Sequence, residues 1–176
     1  YVALYDARGR LVETLAVNTA EIVARNAVSA RVAYTEEIAM KLAKDGTGGT
    51  HVAFGHNPGY VPLPAQFLKM VAREASGASQ GKFRYRTLSK WNLEPTQGLE
   101  DDFQRGAWAQ LEAQDRADPT GPIDWSPAWR VEHIDGVNVL RYLYADPAAV
   151  IACADCHNSF EQLPEIVERR KRASLP

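Results

Sequence analysis

Apolar residues recur at helical spacing along the N-terminal part of the chain. No glycine or proline interrupts the stretch from Arg10 to Asp45. This pattern predicts one long amphipathic helix that ends at Gly46. Its apolar positions are Leu15, Ile22, Ala30, Ala33, Tyr34, Ile38 and Leu42.

The length of this helix is itself informative. A continuous helix over residues 10–45 would extend about 54 Å, which exceeds the roughly 40 Å diameter expected of a compact chain of this size. We therefore expect the helix to overhang the rest of the domain, as a connecting or dimer-forming helix does. A helix broken in two and folded back on itself explains the pattern equally well.

A glycine- and proline-rich segment follows, and a second helix comes after it. Residues 46–64 contain five glycines and three prolines, which indicates a loop that packs against other parts of the chain. This loop carries His51 and His56. Pro64 suits the first turn of a helix, which we expect to continue to about Ala75. The apolar stripe of this second helix consists of Phe67, Leu68 and Val71.

Two shorter patterns lie in the middle of the chain. Residues 83–86 alternate aromatic with basic side chains, which predicts a strand with Arg84 and Arg86 on one face. A third helix is expected after Gly98. The residues that share its apolar face are Phe103, Ala107, Trp108 and Leu111.

A β-hairpin is the clearest local prediction. Residues 129–134 and 137–144 are joined by Asp135-Gly136, a dipeptide suited to the positive φ angles of a two-residue turn. The register opposes Ile134 to Val137, Val131 to Leu140, and Trp129 to Tyr142. The last two pairs form an apolar face. The other face carries Arg130, Glu132 and Arg141. Helices around a small antiparallel sheet make the predicted fold class α+β.

Composition and charge restrict the class of protein. The 176 residues are 45% hydrophobic and 24% charged, as in a soluble globular domain. With a net charge of -2, the chain has no general electrostatic attraction for the phosphate backbones of nucleic acids. Nucleic acid is therefore not an expected partner. No apolar run reaches the roughly 18 residues of a membrane-spanning helix. The chain starts at Tyr1 without the pattern of a secretory signal, which suggests a mature form or an excised piece.

The two cysteines carry the main chemical signal. Residues 153–157 read Cys-Ala-Asp-Cys-His, the C-x-x-C-H pattern for attachment of c-type haem. Thiols at this spacing form thioethers to the two porphyrin vinyl groups, and the next residue, His157, supplies the proximal imidazole to the iron. A redox dithiol or half of a zinc site are the alternatives. The first would need a βαβ setting, which is not predicted around Cys153, and the second would need two more ligands.

Haem attachment also bears on location and on the class of cytochrome. Covalent attachment in bacteria takes place outside the inner membrane, so we expect a periplasmic or otherwise extracytoplasmic domain. No methionine follows His157, which excludes the arrangement of a small electron carrier with an axial methionine far downstream. A cytochrome c-prime bundle would fit the late motif, but the predicted hairpin argues against a pure bundle.

Several segments, in this order, resemble the c-type haem sensor domains of PAS-like fold, which occur in the extracytoplasmic part of bacterial chemoreceptors, histidine kinases and nucleotide cyclases. The segments are VPLPAQF at 61–67, YRTLSKW at 85–91, Asp102-Phe103, Ala107-Trp108, LRY at 140–142 and ACADCHN at 152–158. After Leu163 the chain departs from the cyclase members, since a basic run replaces their tryptophan- and glycine-rich segment.

The resemblance implies a single domain over residues 1–176. It would comprise an N-terminal helical segment at 1–45, a PAS-like haem-binding core at 46–163 and a basic tail at 164–176. One covalently attached haem c would lie near the C-terminal end of the domain. The resemblance further implies a tether to the inner membrane and, in some members, a homodimer through the N-terminal helix. The basic run at 169–172 is either a juxtamembrane patch or the solvated end of a helix.

Candidate distal ligands follow from the residues that can bind iron. Family members use cysteine, methionine or water, and this chain has no spare cysteine. Histidines in the loop and methionines on the helices remain, with a structural role as the alternative for each. These candidates are His51, His56, Met70 and Met40. We expect His133 to lie at the surface, hydrogen-bonded to Asn138.

Other residues are candidates for contacts with the porphyrin. Guanidinium groups bind propionates with paired charge-assisted bonds. The propionate candidates are Arg84, Arg86 and Arg141, with solvated arginines as the alternative. Aromatic side chains would cover the porphyrin faces or belong to the core. The packing candidates are Tyr85, Trp91, Trp129 and Tyr142, together with Tyr144 and Phe160.

The sequence thus favours a haem c sensor domain that detects redox state or a small gaseous ligand. Its expected partners are a diatomic gas or a redox partner and a cytoplasmic signalling module in cis or in trans. Such a domain is a binding module and not an enzyme. The alternative is a stand-alone periplasmic cytochrome that transfers electrons or binds nitric oxide. A haem peroxidase would need an acid–base residue over an open iron face, and the sequence identifies none.

Overall fold

The computed structural model describes residues 2–90, 92, 95–147, 154, 158–159, 162 and 164–172. It confirms the α+β class, with a long N-terminal helix and small sheets flanked by helices. Two compact units make up the chain, one of Tyr1–Ala24 with Ser89–Pro176 and one of Arg25–Leu88. No helix among the described residues is long and apolar enough to span a membrane.

The N-terminal helical stretch contains an irregular turn that the sequence did not predict. Helix α1 spans Val2–Tyr34, a π-helical turn spans Thr35–Ala39, and α2 spans Met40–Lys44. No loop separates them, so the interpretation as two helices folded back on each other is wrong. The stretch ends where expected, because Gly46 adopts a φ of +66° that favours glycine.

In the unit Arg25–Leu88, the glycine-rich segment is a loop with little regular structure. Strands β1 (Gly49–Thr50) and β2 (Tyr60–Val61) form a short parallel pair. A 3-10 turn at Phe54–His56 lies between them. Gly48 permits this closure, since a Cβ there would lie 1.8 Å from the Gly59 carbonyl oxygen.

The second predicted helix is confirmed as α3, Pro64–Ala78. Its first turn is closed by Gln66, whose Oε1 accepts the Leu63 backbone N–H at 3.0 Å. Of the predicted apolar stripe, Leu68 is buried and Phe67 and Val71 are half-buried, while Ala72, which was not predicted, is buried beside them.

The strand predicted at residues 83–86 is wrong. The described backbone there is irregular and pairs with no strand. Alternation alone does not make a strand, because a strand also needs a neighbour to accept its backbone hydrogen bonds. The side chains still alternate, with Arg84 and Arg86 exposed and Tyr85 half-buried.

In the other unit, helix α4 packs on the predicted hairpin. Helix α4 spans Asp102–Ala117 and follows a 3-10 turn at Pro95–Gln97. Strands β3 (Ala128–Ile134) and β4 (Val137–Leu143) pair in the predicted register around Asp135 and Gly136, with φ of +50° and +80°. A last helix, α5, spans Pro164–Arg172. The buried core of this unit comprises Phe103, Ala107 and Ala128, with Leu143 packed against them.

Candidate functional site

Cys153, Cys156 and His157 of the predicted haem attachment motif lie outside the described residues, as do Trp91 and Phe160. The structure instead describes two elements that flank the motif along the chain. Strand β4 ends at Leu143, ten residues before Cys153, and α5 begins at Pro164, seven residues after His157. Both elements belong to the unit that contains the motif.

The hairpin has a charged face, and this face is the one that packs on α4. The guanidinium carbons of Arg130 and Arg141 lie 5.1 and 4.8 Å from the centroid of the Phe103 ring. Cationic groups at this distance are attracted by the electron-rich face of an aromatic ring. Both arginines therefore contact the core phenylalanine, with Arg141 half-buried and Arg130 still 51% exposed.

Arg141 is held by two carboxylates in this unit. Its guanidinium lies 2.7 Å from Asp101 and 3.2 Å from Glu132. Asp101 is also the N-cap of α4, because its other carboxylate oxygen accepts the Gln104 backbone N–H at 2.9 Å. Arg130 forms a further ion pair with Glu132. Arg141, which the sequence suggested as a partner for a haem propionate, thus links the start of α4 to the hairpin, and we call this set of ion pairs the clamp. Binding of a propionate by Arg141 stays a prediction.

The charges of this clamp shift the pKa values of its members. Burial acts to raise the pKa of Asp101, but the Gln104 N–H and Arg141 outweigh it and hold that pKa below its usual value. The pKa of Glu132 is also lowered, because its bonds to Arg130 and Arg141 exceed the effect of burial. Both carboxylates are therefore ionised at neutral pH.

The apolar face of the hairpin points away from α4. Trp129 and Val131 are 43% and 44% exposed. They pair across the strands with Tyr142 and Leu140, which are half-buried. Contiguous exposed apolar surface, in contrast to single exposed side chains, marks interaction sites. Together the four residues form an apolar surface directly upstream of the haem motif, and we call this surface the hairpin platform.

His51 is fixed inside its loop by its own ring. Its Nδ1 accepts the Ala53 backbone N–H at 3.0 Å and lies 3.2 Å from Nδ2 of Asn57. The ring also meets Tyr60 edge to face at 5.5 Å. An Nδ1 that accepts an N–H leaves the proton of the neutral imidazole on Nε2. Imidazole binds iron through the lone pair of Nδ1 or Nε2, and the use of either nitrogen would require His51 to give up its bond to Ala53.

The remaining distal candidates are exposed in the unit Arg25–Leu88. His56 ends the 3-10 turn, and its ring forms no hydrogen bond with the described residues. Met40 is the first residue of α2, and Met70 lies on α3. Met40 and Met70 are 45% and 40% exposed. Neither is therefore a core residue, and the alternative of core packing does not hold for them.

Two further predictions concern single side chains. His133 is exposed, and its Nδ1 lies 2.9 Å from the side-chain oxygen of Asn138, which confirms a surface histidine hydrogen-bonded across the hairpin. Burial raises the pKa of Tyr85, whose ring is half-buried between the exposed Arg84 and Arg86. The haem contacts predicted for Tyr85 and the two arginines stay predictions.

Sequence reasoning missed the residues that hold these elements together. Glu112 accepts hydrogen bonds at 2.6 Å from both Lys90 and the indole of Trp108. Tyr34 is buried and donates to the Pro62 carbonyl at 2.6 Å. An N-cap pattern, an aspartate just before α4, would have identified Asp101. Trp108 and Glu112 lie four residues apart on α4, a spacing that a local helix pattern reveals. The contacts of Lys90 with Glu112 and of Tyr34 with Pro62 join residues 22 and 28 positions apart, which no local pattern reveals.

The hairpin platform and the donor set in the sequence fit a haem. Porphyrin is flat and mainly apolar, and the platform offers an aromatic and aliphatic surface of matching character. Two thiols and an adjoining imidazole are the groups that c-type haem requires. Among the described residues, no cluster of three histidine, cysteine or acidic side chains is placed to hold a metal ion.

Comparison with known proteins identifies the family. Neither the curated proteins nor the solved structures include a match to this chain. A family model described as Tll0287-like matches residues 9–174. That match covers most of the long helix and all of the loop, the hairpin and the C-x-x-C-H motif. The chain therefore belongs to the Tll0287-like family, a family of c-type haem sensor domains.

Proposed function

We propose that this chain is an extracytoplasmic sensor domain that binds one haem c covalently through Cys153 and Cys156. His157 is the proximal ligand of the iron. The observation that carries the proposal is the C-x-x-C-H sequence within a stretch matched over residues 9–174 by a haem sensor family. The domain acts as a binding module rather than an enzyme, and it is anchored at the inner membrane in the full-length protein.

The hairpin platform provides the apolar wall for the porphyrin in this proposal. Trp129 and Tyr142 pair directly in the register, so a single aromatic pair is available to cover the ring. Covering Trp129 and Val131 would remove from water the most exposed apolar side chains of that face. A bound haem supplies an iron that changes oxidation state and accepts a diatomic gas.

The hydrogen bonds of the loop separate the two histidine candidates for the distal position. The ring of His51 is engaged at Nδ1, whereas the ring of His56 has no bond with the described residues. The His56 ring can therefore turn toward the iron without loss of a hydrogen bond to the described residues. We favour His56 over His51 as distal histidine, with Met40 and Met70 as the thioether candidates.

A sensor must pass its state to another module, and α1 offers a surface for a second copy of the chain. Leu11, Leu15 and Ile22 are 60%, 56% and 61% exposed, although leucine and isoleucine favour burial. Their spacing of four and seven residues is that of a coiled-coil seam. Pairing of two α1 helices along this stripe would bury all three residues, which supports the homodimer.

The proposal is tested by producing the chain in a host that assembles c-type cytochromes. We expect a coloured protein whose intact mass includes one haem, and colourless protein from the Cys153→Ser, Cys156→Ser double variant. Spectra of oxidised and reduced protein, with and without nitric oxide or carbon monoxide, then report on the iron. Wild-type protein that stays colourless with both thiols open to alkylation would contradict haem attachment.

The same spectra separate the sensor from the stand-alone cytochrome. A sixth ligand that nitric oxide or a change in oxidation state displaces supports the sensor. A permanently six-coordinate iron with fast electron exchange and no response to gas would instead identify an electron carrier.

A further inference from the structure

Tyr34 joins the long helical stretch to the glycine-rich loop within the unit Arg25–Leu88. Its side chain is 6% exposed, and its hydroxyl donates to the Pro62 carbonyl at 2.6 Å. Its ring stacks on Phe67 of α3 with centroids 4.2 Å apart and planes 5° from parallel. One residue of the helix thus contacts both the end of the loop and the first turns of α3.

The helix is irregular immediately after this residue. The π-helical turn begins at Thr35, the next residue, and ends at Ala39. A π turn holds one residue more than an α turn, and its conversion to regular α-helix would rotate the following segment by about 100°. Such turns are rare, less stable than α-helix and frequent at functional sites. The turn therefore needs support, and Tyr34 is the buried anchor at its start.

The loop end that Tyr34 contacts is itself tied back to the distal candidates. Gln66 accepts the Leu63 N–H at 3.0 Å and donates to the Val52 carbonyl at 2.8 Å. Val52 follows His51, whose backbone N–H donates to the Val61 carbonyl at 3.1 Å. A displacement of the loop therefore reaches Pro62 through short hydrogen-bonded steps.

We propose that Tyr34 is a positioning residue that couples the loop at 51–63 to the π turn of the long helix. With the loop in place, the bond to Pro62 holds Tyr34 and the π turn persists. When the loop shifts, Pro62 withdraws, and the turn loosens or reverts to α-helix. The coupling itself stands on these contacts alone, while its use by a haem ligand on the loop rests on the proposed function.

The experiment compares amide hydrogen exchange in four proteins, the wild type, Tyr34→Phe, Asn57→Ala and the double variant. Tyr34→Phe keeps the ring stack and removes only the hydroxyl. Asn57→Ala loosens the loop, because it removes the bond from Asn57 to the Ala53 carbonyl. We expect Asn57→Ala to speed exchange at residues 39–44 about two- to tenfold in wild type, the range of one lost hydrogen bond, and to have no such effect in Tyr34→Phe.

If Tyr34 only stabilised the fold, the effects of Asn57→Ala and Tyr34→Phe on exchange would add. Non-additive effects of the two substitutions therefore indicate coupling. Equal effects of Asn57→Ala in both backgrounds, or no effect at residues 39–44 in wild type, would overturn the coupling. Tyr60→Phe is the matched control, since it removes an exposed hydroxyl from the same loop. Amides of α4 should keep their exchange rates in every variant, which distinguishes coupling from general destabilisation.

The outcome is independent of haem attachment, since exchange is measured on the chain whether or not it is coloured. In coloured protein we expect reduction of the iron to alter exchange at residues 39–44 in wild type and not in Tyr34→Phe. A redox response of equal size in both proteins would show that the signal bypasses Tyr34. Colourless protein with the expected non-additivity would contradict the proposed function and leave the coupling intact.

Discussion

Arg141 and Asp101 join the hairpin to the start of α4, with the guanidinium 2.7 Å from the carboxylate. The other oxygen of the same carboxylate caps the helix by accepting the Gln104 N–H. One side chain therefore serves both a helix terminus and a contact between two elements that are 40 residues apart. Loss of its charge and loss of its cap can be separated by substitution.

The first prediction concerns the pH dependence of this contact. The pKa of Asp101 is lower in the folded protein than its ordinary value, so its ionised form stabilises the fold above the unfolded pKa of about 3.9. That contribution is lost as the pH falls through the lowered pKa of the folded state. We expect Asp101→Asn to cost about 0.5–1 kcal/mol at pH 7, a modest value because the carboxylate is 42% exposed, and to cost progressively less toward acid.

Urea unfolding of wild type and variant between pH 7 and pH 2 measures this difference. Asp102→Asn is the matched control, since Asp102 is 93% exposed and, among the described residues, pairs with Arg105 on its own helix. It should have little effect at any pH. A constant difference between wild type and Asp101→Asn across the range would mean that the charge of Asp101 does not stabilise the fold.

The second prediction concerns two glycines of the same unit. Gly136 adopts a φ of +80° in the hairpin turn, whereas Gly106 lies on the exposed side of α4, where a Cβ would have open space around it. Gly136→Ala should destabilise the fold by roughly 1–2 kcal/mol, because left-handed backbone brings Cβ against the following carbonyl. Gly106→Ala should stabilise it by about 0.5–1 kcal/mol. Denaturant unfolding of both variants gives the two signs, and equal signs would contradict the turn geometry.

The third prediction distinguishes the loop histidines. His51→Ala should leave the absorption spectrum of the haem unchanged, because its Nδ1 is already bonded to the Ala53 N–H, and it should speed exchange of that amide. His56→Ala should convert a low-spin, six-coordinate spectrum to high-spin if histidine occupies the distal position. A spectral change in His51→Ala with none in His56→Ala would reverse our assignment.

The fourth prediction concerns self-association through α1. Leu15→Asp places a charge in the middle of the exposed apolar stripe and should weaken dimerisation at least about tenfold, since the charge would be buried without a partner. Thr14→Asp adds the same charge beside the stripe and serves as the control. Sedimentation velocity over a range of concentrations measures both. A monomeric wild type, or equal weakening by the two substitutions, would contradict the seam.

Local patterns predicted most of the elements correctly, for reasons visible in particular residues. The Asp135-Gly136 turn determined the hairpin register, because both residues tolerate the positive φ that a two-residue turn needs. Pro64 marked the start of α3, and the spacing of apolar residues marked α4. The strand at residues 83–86 failed because its alternation had no neighbouring strand to pair with.

The sequence identified candidate site residues by their residue type, but not by the contacts that they make. The C-x-x-C-H motif predicts a covalently attached haem, and the family match supports a haem sensor domain without testing the attachment. The residue types could not show that Arg141 is held by Asp101 and Glu132, or that the ring of His51 is bonded within its loop. Each of these contacts depends on which side chains the fold brings together.

The sequence by itself therefore determined the long N-terminal helix, α3, α4, the hairpin register and the fold class, because each depends on short-range spacing, and the chemistry of the cofactor stays a prediction from the motif. Tertiary structure alone decided which face of the hairpin meets α4. Arg130 and Arg141 can lie against α4 because they stack on Phe103 and pair with carboxylates. The opposite face of the hairpin then leaves Trp129 and Val131 exposed to solvent. It also decided the π turn beside Tyr34, since that turn accompanies contacts with Pro62 and Phe67 made about 30 residues away.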